Sequence, residues 1–235
     1  KPGFDAIKKA AEILKKRKAQ GLVTAPVNKE AINRSGIYFQ GHTEYLAEAS
    51  STKKFAMMLC GGPLKVTTVT RHVPLKKVSG ILTQAKIIDA VKLTDLALKR
   101  YFGIKKPKIG VCGLNPHCGE GGKIGDEEQI TIIPAVKKVR RFAPGVLGPI
   151  SGDIIFYMAI QGKLDAVISM YHDQGLGPLK MVAFEKGVNV TLGLPFIRTS
   201  PDHGTAYDIA GKGMADPGSM KEAIKLAIKM CLINA

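Results

Sequence analysis

The sequence predicts an α/β fold built on a largely parallel or mixed sheet, and three observations predict it. Short apolar runs rich in Val, Ile and Thr alternate with amphipathic stretches of helical period along the 235 residues. A glycine-rich loop at 115–126 joins one such run to the helix that follows. Three of the five histidines, His72, His117 and His172, come just after β-rich runs, where α/β sheets gather their ligands. The length accommodates one large α/β domain or two small ones.

Each element follows from local pattern. Phe4, Ile7, Ala11 and Leu14 fall at helical spacing and predict a helix over 4–19 that ends before Gly21. Leu22-Val23-Thr24 is a short strand running into Ala25-Pro26. The runs 55–60 and 64–70 flank Gly61-Gly62-Pro63 and predict a hairpin. Thr83 caps a long helix to Phe102, closed by Gly103. A strand over 108–114 leads through the glycine loop to a helix from Glu127, where Pro134 implies a break or a late start. A helix over 153–160 and strands over 166–171 and 188–192 follow. Ser219 with Glu222 predicts a capping box for the last helix, which runs to Ile233.

Composition excludes several classes. Glycine has no strict period, so the chain is not collagen-like. No apolar run approaches the roughly 18–20 residues a bilayer requires, and no signal-peptide core opens the chain, so a cytoplasmic protein without a membrane partner is expected. Net charge is +16, and only seven of the 35 basic residues are Arg. The clusters Lys15-Lys16-Arg17-Lys18 and 137–141 fall on amphipathic helices, where a solvated face accounts for them. Aromatic residues do not interleave with them, so nucleic acid is not the expected partner. Cys60, Cys112, Cys118 and Cys231 form no C-x-x-C pair, which fits a reducing compartment.

The chemistry concentrates in three places. Three neutral imidazoles at strand ends suit Zn²⁺ or a similar divalent ion, with an open position for substrate. Gly119, Gly121, Gly122 and Gly125 lie in a loop whose backbone N–H groups can approach an anion closely, although it matches neither a Walker A loop nor a Rossmann fingerprint. In the segment 193–206, Arg198 offers a planar fork for phosphate or carboxylate, with a surface salt bridge as the plainer alternative.

Five segments then carry a resemblance. Thr-Ala-Pro-Val-Asn-Lys (24–29), Gly-His-Thr-Glu (41–44), Asn-Pro-His-Cys-Gly-Glu-Gly-Gly (115–122), Met-Tyr-His-Asp-Gln-Gly-Leu (170–176) and Leu-Gly-Leu-Pro-Phe-Ile-Arg-Thr-Ser (192–200) closely resemble the 4-hydroxythreonine-4-phosphate dehydrogenase family of pyridoxal phosphate biosynthesis. Residues 203–217 resemble the nucleotide loop of isopropylmalate and isocitrate dehydrogenases. The resemblance implies a two-domain isocitrate/isopropylmalate dehydrogenase-like fold, α/β/α with mixed sheets and an active site in the interdomain cleft. It places 1–40 and 184–235 in a cofactor-side domain and 41–183 in a metal and dimerisation domain.

It further implies a homodimer with shared sites. His72, His117 and His172 match the family's metal ligands for Zn, Mg or Co, one of them, His172, supplied by the neighbouring subunit. His42, Thr43, Lys180, Asn189 and Arg198 match its substrate contacts, and Lys180 with Asp153 is the expected proton acceptor. Gly119, Gly121, His203, Gly204, Thr205, Ala206 and Asp208 are the expected contacts of NAD, or of NADP. The implied reaction, in vitamin B6 biosynthesis, oxidises 4-phosphohydroxy-L-threonine to a β-keto acid that decarboxylates to 3-amino-2-oxopropyl phosphate. Nothing in the chain matches the Gly-Ile-Gly-Pro-type turn of the family's N-terminal region, so a member lacking the start of its first domain is expected, with an inactive truncated relative as one alternative. Asn28 stands where relatives often carry His, which keeps phosphorylated threonate- or erythronate-type acids as alternative substrates.

Overall fold

The computed structural model of the chain describes residues 2–234. In chain order the main elements are α1 (Pro2–Lys15), β1 (Gly21–Val23), α2 (Lys29–Arg34), α3 (His42–Ala49), β2 (Ala56–Gly61), β3 (Leu64–Thr68), α4 (Val78–Ile81) and α5 (Gln84–Phe102). They continue with β4 (Ile109–Cys112), α6 (Ile133–Val139), β5 (Val146–Ile150), α7 (Gly152–Ile160), β6 (Ala166–Ser169), α8 (His172–Ala183), β7 (Val188–Leu192), β8 (Ile197–Pro201) and α9 (Gly218–Asn234). The mixed α/β class is the one the alternating pattern predicts.

The chain divides into two compact units, Lys1–Phe55 with Glu185–Ala235, and Ala56–Phe184. The boundary expected at 40/41 therefore falls at 55/56. The reason is packing: Leu46 and Ala47 of α3 bury against Ala11 of α1 and Leu194, so α3 belongs with the first unit.

In the second unit, β2 and β3 form the expected hairpin, antiparallel with Gly61 opposite Leu64. β3 pairs parallel with β6, β6 with β4, and β4 with β5. Residues alternate between the two faces of this sheet. Ile109, Val111 and Ile168 point toward α5 and α6, into a core with Ile87, Val91, Leu98 and Val136. Their neighbours Cys112 and Val167 point the other way, into a core with Ile155 and Phe156 of α7 and Leu176 and Leu179 of α8. Each fully buried Leu, Ile or Phe contributes about 1.5–3 kcal/mol, and the two cores give an α/β/α sandwich.

Helix α5 has the ends its sequence specifies. The Lys86 N–H donates to Thr83 Oγ1 at 3.3 Å, and Gly103 takes the left-handed conformation at φ 70° that ends the helix. The next helical segment shows neither the break nor the late start that Pro134 implied: Glu128–Ile132 forms a π-type turn and α6 follows it directly, with Pro134 as its second residue.

In the first unit, β1 pairs parallel with β8, and β8 antiparallel with β7. Helix α9 is tied to β8 by Thr199 Oγ1, which donates to the Ala223 carbonyl at 2.9 Å. Two sequence expectations are corrected here. Helix α1 stops at Lys15 rather than 19, because Arg17 turns to φ 54°. The Ser219–Glu222 capping box does not form: Ser219 is buried within α9, donates to the Gly187 carbonyl and accepts from the Asp202 N–H. Glu222 instead pairs with Lys225 at 2.8 Å, and Asp216 accepts from the Gly218 N–H at the helix start.

No helix of the described residues is long and apolar enough to cross a membrane.

Candidate functional site

The sheet of the second unit brings its polar residues to one end. β3, β6, β4 and β5 are neighbours in that order and all parallel. His72 follows β3, His172 opens α8 after β6, His117 follows β4, and Asp153 lies in the first turn of α7 after β5. Four ligand-type residues thus stand at the carboxyl ends of four consecutive strands, the location α/β sheets use for chemistry.

His72 and His172 meet: their ring centroids are 5.6 Å apart and the planes are inclined by 47°. The His172 Nδ1 shares a hydrogen bond with Asp173 Oδ1 at 2.6 Å, which turns Nε2 into the lone-pair nitrogen when Nδ1 carries the proton. Both rings belong to one chain. Among the described residues no three His, Cys, Asp or Glu side chains are gathered as a ready ion site. The donor set still suits a borderline divalent ion, being two adjacent imidazoles with a third on the neighbouring strand end.

His117 sits in an unusual backbone. Residues His117, Cys118, Gly119, Glu120 and Gly121 all have left-handed angles, φ 43–76° and ψ 2–49°. Three of them carry side chains, at about 1–2 kcal/mol each. Buried Glu128 supports the turn: its Oε1 accepts from the N–H groups of Leu114 (2.6 Å) and Asn115 (2.8 Å). Gly119 is buried against that carboxylate, and a Cβ there would lie 2.8 Å from the Gly125 carbonyl and 2.9 Å from Glu128 Oε2. The missing side chain of Gly119 serves the chain's own packing, whereas Gly121 has open space around it.

Asp153 is exposed, and its carboxyl is held below the usual range, first by the Ser151 hydroxyl and in smaller part by nearby His117. Lys180 lies in α8, its Nζ 5.4 Å from the centroid of the Phe184 ring. Cys118 has its thiol pushed up by burial and by Glu128, so it is no activated nucleophile.

The first unit holds a separate polar cluster around Arg198. This residue is 4% exposed within β8, so the surface salt bridge is not what forms. Its Nη2 donates to Thr24 Oγ1 at 2.7 Å and its Nη1 to Thr191 Oγ1 at 3.1 Å. Both partners are neutral, and Nε has no hydrogen-bond partner among the described residues. Burial lowers the guanidinium pKa to about 10, with Glu44 acting in the opposite sense. A buried cation with neutral partners and a donor to spare is a seat for an anion.

His42 opens α3 beside this cluster, its ring edge-on to buried Phe39 at 5.9 Å. Burial first, then Arg198 and Lys29, lowers its pKa to about 4, so the imidazole is neutral at pH 7. The loop leading into it is clamped by Asn33, whose amide donates to the Phe39 carbonyl and accepts from the Phe39 N–H. Thr43 is the next residue of α3, and Asn189 lies on β7 opposite Ser200 of β8.

The segment of His203, Gly204, Thr205, Ala206 and Asp208 follows β8 as mostly exposed chain with one short turn over Tyr207–Ile209. His203 Nδ1 contacts the Gly204 carbonyl at 3.0 Å. Thr191 and Glu128 are the two site residues sequence reasoning missed. Neither belongs to a recognisable motif: Thr191 matters through Arg198, seven residues on, and Glu128 through Leu114 and Asn115, 14 and 13 residues before it.

Three comparisons bear on this geometry. The family model described as pyridoxal phosphate biosynthetic protein PdxA matches residues 2–227. A 4-hydroxythreonine-4-phosphate dehydrogenase of Geobacter metallireducens is 49% identical over 231 residues, covering 98% of this chain and 68% of the relative. A relative in Oceanobacillus iheyensis, named for D-threonate 4-phosphate dehydrogenase, is 46% identical over 97% of this chain and 68% of its own length. The crystal structure of 4-hydroxythreonine-4-phosphate dehydrogenase from Klebsiella pneumoniae superposes with a TM-score of 0.90 at 42% identity, over 97% of this chain and 70% of that one.

Proposed function

The chain belongs to the PdxA family of pyridoxal phosphate biosynthetic proteins, and from that premise we propose that it is a 4-hydroxythreonine-4-phosphate dehydrogenase. The reaction oxidises the C3 hydroxyl of 4-phosphohydroxy-L-threonine with NAD, or NADP, to a β-keto acid that loses CO₂ to give 3-amino-2-oxopropyl phosphate. The observation that carries the reading is the row of His72, His172 and His117 at the ends of three adjacent parallel strands.

His72, His117 and His172 would hold a divalent ion, Zn, Co or Mg, which as a Lewis acid makes the substrate hydroxyl easier to deprotonate. The protein's own groups do the rest. Arg198 and neutral His42, with Thr43 and Asn189, hold an anionic end of the substrate, and positioning it converts an encounter into an oriented complex. Lys180, with Asp153 kept ionised by Ser151, takes the hydroxyl proton. His203, Gly204, Thr205, Ala206 and Asp208 bind the adenosine end of the dinucleotide. The enzyme works as a cytoplasmic homodimer.

A second reading, oxidation of a 4-phosphorylated threonate, is favoured by the Oceanobacillus relative and by Asn28, whose side chain is engaged in capping α2 through the Ala31 N–H at 2.8 Å. Both readings are tested together. Chelator-stripped protein is assayed with each substrate and NAD, before and after adding back Zn²⁺, Co²⁺ or Mg²⁺. Turnover that disappears and returns is expected, with higher kcat/KM for 4-phosphohydroxy-L-threonine. Unchanged turnover after verified metal removal would sink the metal role, and preference for the threonate would select the second reading.

A further inference from the structure

We propose that Glu128 is a positioning residue, its buried carboxylate fixing the left-handed turn that presents His117. The proposal rests on His117 being a metal ligand and deepens that reading. The turn begins two residues after the backbone N–H groups of Leu114 and Asn115, and Glu128 Oε1 accepts from both, at 2.6 and 2.8 Å. Its Oε2 accepts from Asn115 Nδ2 at 2.8 Å, a donor that Glu127 Oε2 also engages at 2.7 Å. The centre of the turn rests on the same carboxylate, since a Cβ on Gly119 would stand 2.9 Å from Oε2. One side chain thus grips the entry to the turn and underlies its middle.

Local preference does not hold five left-handed residues in sequence. Removing the grip frees the segment to relax, and His117 leaves its place at the end of β4. The contacts specify a carboxylate rather than an amide. Three donors converge on two acceptor oxygens, and a Gln amide at this position turns an NH₂ toward at least one of them, donor against donor. Groups behind a metal ligand that set its orientation weaken binding by about 10–100-fold when replaced.

The test is Zn²⁺ affinity of the full chain, measured by competition with a chromophoric chelator, for the parent, His117→Ala, Glu128→Gln and the double variant. Glu128→Gln is expected to bind Zn²⁺ about 10–100-fold more weakly. The double variant is expected to bind no more weakly than His117→Ala, because Glu128 acts through His117. Parent-like affinity in Glu128→Gln overturns the proposal. So do losses that multiply in the double variant, which would make Glu128 a general support of the fold. If His117→Ala binds as the parent does, the ligand assignment fails, visibly and separately, and the proposal falls with it. Should Glu128→Gln not fold, Asn115→Ala removes one of the three donors from a half-buried position. Weaker Zn²⁺ binding supports the proposal there, and unchanged binding overturns it.

Discussion

The imidazoles of His72 and His172 meet within a single chain, 5.6 Å between centroids, although 100 residues separate them in sequence. The parallel pairing of β3 with β6 brings them together, because Thr68 and Ser169 are register partners and each histidine follows within four residues. A pair built this way is lost when either member is lost. If this pair serves one site within each chain, mixing His72→Ala chains with His172→Ala chains restores no activity, since every site then carries one defect. Activity returning in the refolded mixture, toward a quarter of the parental rate, would show that the two ligands come from different subunits.

His42 gives the stability a pH dependence of defined sign. Its folded pKa is about 4, against 6.5 when free, because burial, Arg198 and Lys29 all oppose its charge. The unfolded chain therefore binds a proton between these values and the folded chain does not. Stability is fully present above pH 6.5 and is lost as pH falls toward 4. With solvent screening at a partly open site, the loss is on the order of 1 kcal/mol. The fall in Tm between pH 7 and 5 should shrink in His42→Gln, and an identical fall in both proteins would refute the assignment.

Arg198 gives a prediction on binding rather than on chemistry. Its partners Thr24 and Thr191 orient the guanidinium without neutralising it. Arg198→Lys keeps the charge but loses the fork, and a lost charge-assisted bond is worth about 1.5–3 kcal/mol. KM for the phosphorylated substrate should rise about 10–100-fold with kcat less affected. Inorganic phosphate should raise the Tm of the parent and do so less in the variant. A kcat loss at constant KM would move Arg198 from binding to the chemical step.

How much of this was legible in the sequence depends on the range of the interaction. Thr83 and Gly103 mark the ends of α5 correctly because a cap and a left-handed stop are settled within a few residues. Ser219 misled because its hydroxyl is claimed by Gly187 and Asp202, more than 15 residues away, before it can serve its own helix. Strand β8 was not visible: Ile197-Arg198-Thr199-Ser200-Pro201 is buried throughout and shows no alternation, so Arg198 read as a loop residue. Helix α8 was hidden by Gly175, Gly177 and Pro178, although Gly175 is required there, since a Cβ would stand 2.5 Å from Ser169 Oγ. The strand-end histidines were legible individually. Their neighbourhood was not, because strand order is a long-range property, and neither was the left-handed turn, which depends on Glu128.

If the loop 203–208 binds the dinucleotide as proposed, Asp208 is expected to set cofactor choice. The residue is exposed in the single turn Tyr207–Ile209, which follows Ala206 at φ 43°. No side chain caps that turn, whose N-cap is Ala206. An ionised carboxylate beside the adenosine ribose accepts hydrogen bonds from the 2′-OH of NAD, and the same charge repels the 2′-phosphate of NADP. Lys212 follows one turn later, where its N–H bonds the Ile209 carbonyl at 3.1 Å, and its charge is expected to moderate the repulsion. The preference is therefore expected to be partial, with kcat/KM higher for NAD than for NADP. Asp208→Lys removes the acceptor and supplies a cation for the 2′-phosphate, so it should narrow or reverse the gap while leaving the Tm of the free protein nearly unchanged. Steady-state kinetics with both cofactors on both proteins decides the matter: an unaltered ratio after the substitution means that Asp208 does not read the ribose.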